Sequence, residues 1–526
     1  MKRLVACSIL LAVVALYSGC GSDSPTSTPV APGGGTPVLG DIDLFDIFLR
    51  PRSIQRAPDA GGQPNPHLSV HYLTAFFTGG SDKPIFDWQM DATLGELRAK
   101  SEGLGTDEAS VTLLNGGDTP LGFYDITATG TSGGKTSSIT RRIAAIENTW
   151  QKHNRATFLN QQDPPASLVL SPIFVPNGTG DEILYIEAPS EVAVNMRRIT
   201  AYRPLTDAEQ SPRSVFVPPG SIDGTQSLRA MDLTPDLSPV AMGGDQLLFS
   251  SQLDPDFGRR CPTPNCNKKI PLRIWTVKAP SGIVENEAKV MTQDSTFFFA
   301  GRDEFYAYDF KQPRWDPSAT GYPARIAYFS DMDEVVDDTT AVPNIWLADL
   351  VDDNGDNRPD DLINHRRLTD FGRIKDYDWH PNGQSLYVSA DPKKILKISV
   401  ASGMVEKEIG FLEQDSLLTN PSGISVFQKP GGHTLIAFQG VSENLTHLYV
   451  YDEEDEELTR VSPFPFPSGS TLFPSWHPTK MWLTYSCDYS VNAWSSSADM
   501  PPLINKDFER QPRTAFPSMW VLKLED

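Results

Sequence analysis

Three tripeptides, Trp315-Asp316-Pro317, Trp379-His380-Pro381 and Trp476-His477-Pro478, repeat one aromatic–polar–proline step. Each is followed within about ten residues by an apolar stretch of strand character, at Ile326–Ser330, Leu386–Ser389 and Trp482–Ser486. A second such stretch closes each unit, at Ile345–Ala348, Ile395–Ile398 and Met519–Leu522. Looser copies complete the series. Phe174-Val175-Pro176-Asn177-Gly178 precedes Ile183–Ile186, and Arg198-Ile199-Thr200 ends that unit as Arg367-Leu368-Thr369 ends another. Leu247–Ser250 goes with Ile274–Val277, and Leu435–Phe438 with Leu448–Tyr451. Residues 149–526 therefore hold six units of about 63 residues. A minimal four-stranded unit takes ~40–45, so several carry insertions. One such unit cannot bury both faces of its sheet, so the units must stack and the series must close. The expected closing strand lies around Ala156–Leu159, beside Trp520–Leu524.

The stretch Asp378-Trp379-His380-Pro381-Asn382-Gly383-Gln384-Ser385-Leu386-Tyr387-Val388 carries a family likeness. With the repeated Trp315/Pro317, Trp379/Pro381 and Trp476/Pro478 steps, it resembles the TolB-like β-propellers. The resemblance implies a six-bladed propeller over 149–526. In it each tryptophan packs on a neighbouring blade and Pro-Asn-Gly turns the chain into the next strand.

Residues 41–148 alternate in the β manner. Leu68, Val70 and Tyr72 share a face, as do Val111 with Leu113, Tyr124 with Ile126 and Ala128, and Ile139 with Arg141 and Ile143. Trp88 and the sequence Gly122-Phe123-Tyr124-Asp125-Ile126, which looks like a tyrosine corner, resemble an immunoglobulin- or PKD-like module without its disulfide. The expected fold class is all-β, a six-bladed β-propeller preceded by an immunoglobulin-like β-sandwich.

The N-terminus reads as an address. Lys2 and Arg3 precede an apolar run, Leu4–Leu16, too short for the ~20 residues of a membrane span. It ends at Tyr17-Ser18-Gly19-Cys20, which resembles a bacterial lipobox. The resemblance implies a signal peptide over 1–19 and lipidation of Cys20, with Gly21 favouring the outer membrane. Residues 20–40 form a tether: in 21–40, fifteen of twenty positions are Gly, Pro, Ser or Thr, and such a segment buries no core.

The formal net charge of −22 deepens to −24 once Lys2 and Arg3 are removed, which argues against nucleic acid as a partner. Part of the acidity is concentrated in two loops. Asp352, Asn354, Asp356, Arg358 (through its carbonyl) and Asp360 have the spacing of a calcium loop, although Ile363 stands where an EF-hand has its closing glutamate. The alternative is a solvated turn-forming insertion. Asp452–Glu457, six consecutive acids, reads as a solvated hairpin loop, with a docking site for a basic partner as the minority reading. Cys261 and Cys266 are expected to form a loop disulfide in an oxidising envelope. Cys487 reads as a small buried apolar residue.

His380 and His477 stand where Asp316 stands in the third copy, which points to turn caps in preference to a metal ring. There is no G-x-S-x-G elbow, no C-x-x-C-H and no H-E-x-x-H, and Thr129–Thr136 only mimics a P-loop. The leading expectation is a lipid-anchored cell-envelope protein, a monomer or part of an envelope complex. Its propeller would be a platform for a protein or glycan partner, with calcium as the one candidate cofactor. The competing classes are a propeller hydrolase or lyase acting on glycans and a calcium-dependent adhesin.

Overall fold

A computed structural model describes residues 43–50, 53–55, 70–78, 85–94, 96–100, 106–112, 120–132, 135–150, 167–175, 182–189, 198–202, 213–216, 235–251, 272–278, 289–292, 296–299, 304–331, 343–411, 414–415, 417–442, 445–462, 473–487 and 518–525. Cys20, the tether and the Cys261/Cys266 pair lie outside them. The described chain is all-β, and its C-terminal part has a propeller-type arrangement of antiparallel sheets following one another along the chain.

Sheet 1 comprises Ser167–Phe174, Ile183–Pro189, Arg198–Tyr202 and Arg213–Phe216. Sheet 2 comprises Asp236–Leu237, Gln246–Ser251, Arg273–Lys278 and Lys289–Val290. After a hairpin, Thr296–Phe299 with Glu304–Ala307, sheet 3 takes Phe310–Trp315, Ala324–Ser330, Asn344–Val351 and Asp361–Arg367. Sheet 4 has Asp376–Trp379, Ser385–Asp391, Lys394–Ser399 and Val405–Gly410. Sheet 5 has Thr419–Gln428, Thr434–Ser442, Leu445–Asp452 and Glu457–Arg460. The strand pairs expected from the repeats all form, Leu386 opposite Ile398 and Ala437 opposite Val450 among them.

Sheet 6 is assembled from distant parts of the sequence. Ser475–Trp476, Trp482–Cys487 and Ser518–Lys523 are joined by Lys135–Trp150, with Trp520 opposite Trp150 and Lys523 opposite Glu147. This corrects the expected closing strand. Ser518–Lys523 is paired along both edges, by Trp482–Cys487 and by Lys135–Trp150, so 156–159 has no free edge to join there. Those four residues lie outside the described set.

The tight packing follows from period-two alternation with both faces buried. In strand Ala324–Ser330, Ala324, Ile326 and Tyr328 pack with Leu248 and Ile274 of sheet 2, whereas Ala327 and Phe329 pack with Tyr377 and Leu386 of sheet 4. Equivalent cores join sheets 4 and 5 and sheets 5 and 6. Phe174, Ile183 and Tyr185 of sheet 1 meet Met519 and Val521 of sheet 6, bringing the two ends of the series together.

The N-terminal region contributes two further layers. Asp43–Arg50, Val70–Thr78, Thr106–Thr112 and Glu96–Lys100 form one sheet in that spatial order. Ile85–Met90 and Gly122–Ser132 extend the other through Lys135–Trp150, against which Ser53–Gln55 runs parallel. The boundary expected at 148 thus falls inside a strand shared by both parts. Trp88 is buried, and the Tyr124 hydroxyl donates to the Pro120 carbonyl at 2.9 Å, as a tyrosine corner does. Among the described residues no helix is long and apolar enough to cross a membrane.

Candidate functional site

The three polar residues at the repeated steps perform one local task. Asp316 Oδ1 accepts the Ser318 backbone N–H at 2.9 Å, and His380 Nδ1 accepts that of Asn382 at 3.1 Å. His477 Nδ1 accepts those of Thr479 and Lys480, both at 3.1 Å. Each side chain caps the turn it begins. Burial, then the nearby Lys397 charge, holds His380 below the ordinary histidine value, so it stays neutral and able to accept.

The tryptophans Trp315, Trp379 and Trp476 are buried, and Pro317 and Pro478 are exposed at the turns. The indole N–H of Trp476 donates to the Ser425 carbonyl at 3.1 Å, reaching from sheet 6 to sheet 5. Arg325 of sheet 3 bonds Asp316 through Nε at 3.0 Å, donates to the Gly383 carbonyl at 2.7 Å and lies over the Trp379 ring, tying sheet 3 to the first turn of sheet 4.

The run Asp452–Glu457 is not a freely solvated loop. Asp452 and Glu453 are buried. Glu453 accepts from Lys397 at 3.0 Å and from the Tyr387 hydroxyl, Glu456 pairs with Lys407 at 2.9 Å, and Asp455 pairs with Arg142 at 3.1 Å. The basic partner for these acids is supplied by the chain itself, from sheet 4 and from Lys135–Trp150.

In the 352–360 loop the oxygens serve its own backbone. Asp352 accepts from Gly355 and Asn357 at 2.7 Å each, Asn354 from Asp356 and Asp356 from Arg358 at 2.9 Å each, and Asp360 from Asp353 at 3.0 Å. Lys289 also bonds Asp360 at 2.7 Å and holds its carboxyl below the usual range. This folds the loop into the turn its spacing suggests, with Asp352, Asp356 and Asp360 not all within 4.8 Å of one another. Among the described residues, the one trio of His, Cys, Asp or Glu with ligand atoms within 4.8 Å of one another is His433, Asp452 and Glu454. That donor set is compatible with a metal ion, although Lys429 at 3.7 Å and Arg142 at 3.9 Å already balance Asp452.

A second signal lies on the innermost strands and was not read from the sequence. A proline stands two residues before the aromatic in Pro172-Ile173-Phe174, Pro313-Arg314-Trp315 and Pro474-Ser475-Trp476. The residue before each proline has a positive φ: 46° at Ser171, 50° at Gln312 and 37° at Phe473. Asn420, before Pro421, has 55°. In three of these strands the pairing register skips, as a β-bulge makes it do. Ser171, Ile173, Pro235, Arg314, Ile424 and Ser475 line a narrow cavity where the inner strands meet.

Around it, Asp236 accepts the Trp315 N–H at 2.7 Å, Asp376 that of Ile424 at 2.6 Å and Asp378 that of Val426 at 2.8 Å. Each links one sheet to the next. Burial, opposed by Arg314, pushes Asp236 up to about 7 and Asp376 up to about 6, and raises Asp378 as well.

No protein-family model and no curated protein matches the chain. Among solved structures it is similar to an oligogalacturonate lyase in complex with manganese, at 12% identity and a TM-score of 0.36, covering 76% of this chain and 86% of that one. It is also similar to a protein of unknown function from Bacteroides thetaiotaomicron, at 9% identity and a TM-score of 0.37, covering 86% and 96%. A third similarity is to the β-propeller domain of Myceliophteria thermophila Cps50 (Swd1), at 13% identity and a TM-score of 0.33, covering 69% and 90%. At these identities no residue-to-residue correspondence follows.

Proposed function

We propose that the chain is a lipid-anchored cell-envelope protein held at the outer membrane through Cys20. It presents an immunoglobulin-like module and a six-bladed TolB-like propeller as a binding platform for an envelope protein or glycan. The observation that carries the binding role is the use made of the polar repeat residues. Asp316, His380 and His477 each cap a separate turn, which supports a frame built to hold a surface steady. Five sheet-to-sheet cores and the shared strand Lys135–Trp150 support a closed ring. On this reading the 352–360 loop takes calcium through Asp352, Asn354, Asp356, Asp360 and the Arg358 carbonyl.

The test is capture from envelope extracts on the full chain immobilised through its tether, run beside turnover assays on polysaccharide and peptide libraries. The platform reading expects a saturable partner and no turnover. Turnover of any library member with no partner captured overturns it.

A further inference from the structure

His433 ends the turn between the first two strands of sheet 5, and Asp452 and Glu454 stand at the turn between its last two. Leu435 lies opposite Asp452, and the Glu453 N–H donates to the Thr434 carbonyl at 2.9 Å, so the pairing carries on into both turns. Side chains alternate in direction along paired strands, which sends Asp452 and Glu454 to one side with His433 across from them. One ligand atom from each of the three lies within 4.8 Å of the other two. His433 Nδ1 and Asp452 Oδ1 are 3.1 Å apart. Two atoms each ~2.1 Å from one ion, at ~90–110° to each other, are separated by about 3.0–3.4 Å. The side chains thus already hold the spacing of ligands around an ion.

The surroundings orient both carboxylates as outer-shell hydrogen bonds orient metal ligands. Glu454 accepts the Thr434 N–H at 2.6 Å and the Thr434 hydroxyl at 3.1 Å, and Asp452 Oδ1 accepts the Asp455 N–H at 3.3 Å. The nearby cations, Lys429 at 3.7 Å and Arg142 at 3.9 Å, are both nearest to the other oxygen of Asp452, Oδ2. Arg142 is closer to Asp455, at 3.1 Å, and to Asp125, at 3.5 Å, while Lys429 lies over the Phe123 ring. The Asp452 side chain is 5% exposed and that of His433 42%, so the trio has a buried floor and an opening to solvent. Calcium takes six to eight oxygens, whereas an imidazole with two carboxylates suits zinc and leaves a fourth position for water. We propose that His433, Asp452 and Glu454 form a zinc site, in which the ion takes the place of the His433–Asp452 hydrogen bond and pins the two turns of sheet 5 together. The site is separate from the 352–360 loop and does not depend on the platform reading.

Calorimetric titration of the chelator-treated full chain with zinc, and separately with calcium, tests it. The expected result is a zinc site that His433→Ala and Glu454→Gln each weaken about tenfold or more, at least what losing an outer-shell partner costs. Zinc should also raise the melting temperature, and a chelator should reverse the rise. Glu454 is exposed, and glutamine there keeps an oxygen for the Thr434 N–H, so this variant stays decisive if His433→Ala misfolds. Asp352→Ala, in the other acidic loop, should leave the zinc response unchanged. Absence of zinc binding overturns the proposal, as does full zinc affinity in folded Glu454→Gln or His433→Ala, which would place the ion elsewhere, for instance at Cys261 and Cys266. Loss of the zinc response in Asp352→Ala, or calcium bound at this trio in preference to zinc, overturns it as well.

Discussion

The indole N–H of Trp379 donates to the carbonyl of Arg314, 3.1 Å away in the preceding sheet and 65 residues earlier. Trp476 repeats the contact with Ser425. The conspicuous aromatic of the repeat is therefore a cross-link between sheets as well as a core residue. Trp379→Phe keeps most of the packing and loses the bond, and should cost about 0.5–1.5 kcal/mol. Trp379→Ala loses both and should cost about 3–5 kcal/mol. Denaturant unfolding of the pair separates the two contributions, and equal losses would contradict the assignment.

Gly383 ends the turn begun by His380, at φ 69°. A Cβ there would run into the Asp316 carboxylate and the Ser318 hydroxyl of sheet 3. Gly383→Ala should destabilise by about 1–3 kcal/mol through the backbone and the clash together. Gly355, at φ 76° with open space around it, meets only the backbone penalty. A thermal melt should therefore show a larger drop for Gly383→Ala than for Gly355→Ala.

Lys397 compensates the buried Glu453 from the adjacent sheet. Lys397→Met should cost about 1.5–3 kcal/mol, the range for a hydrogen bond to a charged group. Glu453→Gln in the same chain should return part of that loss, because the charge left buried is removed. A double-mutant cycle in urea measures the coupling, and strict additivity would count against it.

Asp236 and Asp376 are held above the ordinary value of 3.8, at about 7 and about 6, because burial disfavours their charged forms. The folded chain thus keeps protons that the unfolded chain has released. Their stabilising contribution is complete below the unfolded value and is lost as pH rises through about 6 and 7. The melting temperature should fall between pH 5 and pH 8 at constant ionic strength. Asp236→Asn, which keeps an acceptor for the Trp315 N–H, should flatten that fall, and an unchanged slope would be inconsistent with the cavity electrostatics.

On the calcium reading of the 352–360 loop, calcium should raise the melting temperature and a chelator should reverse the rise. Linkage supplies about 2.7 kcal/mol at a hundredfold excess over the dissociation constant. Asp352→Ala removes the acceptor for the Gly355 and Asn357 amides and should abolish the response. Identical melts with and without calcium would leave the loop as a self-capped turn.

The repeating sheets were legible because their signals are local. Trp379-His380-Pro381-Asn382-Gly383 places an aromatic, a cap and a turn within five residues, and the structure uses each as its chemistry suggests. The proline before the aromatic was equally visible at Pro172, Pro313 and Pro474. Its meaning, a bulge that turns Ser171 and Arg314 toward one cavity, depends on strands that are far apart in sequence. The Asp452–Glu457 run looked like solvated charge because nothing nearby in the chain neutralises it. Lys397, Lys407 and Arg142 reach it only after folding.

By itself the sequence determined the strand-forming units, their order along the chain, the caps of their turns and the concentration of charge, because each of these is fixed by side chains a few residues apart. Only the tertiary structure decided which strand closes sheet 6, which cations meet the acidic run and which polar atoms share the cavity. Those outcomes depend on edges and faces that exist once the sheets have stacked. The free edge at Ser518–Lys523 was filled by Lys135–Trp150, with Glu147 meeting Lys523 at 2.8 Å across 376 residues of sequence.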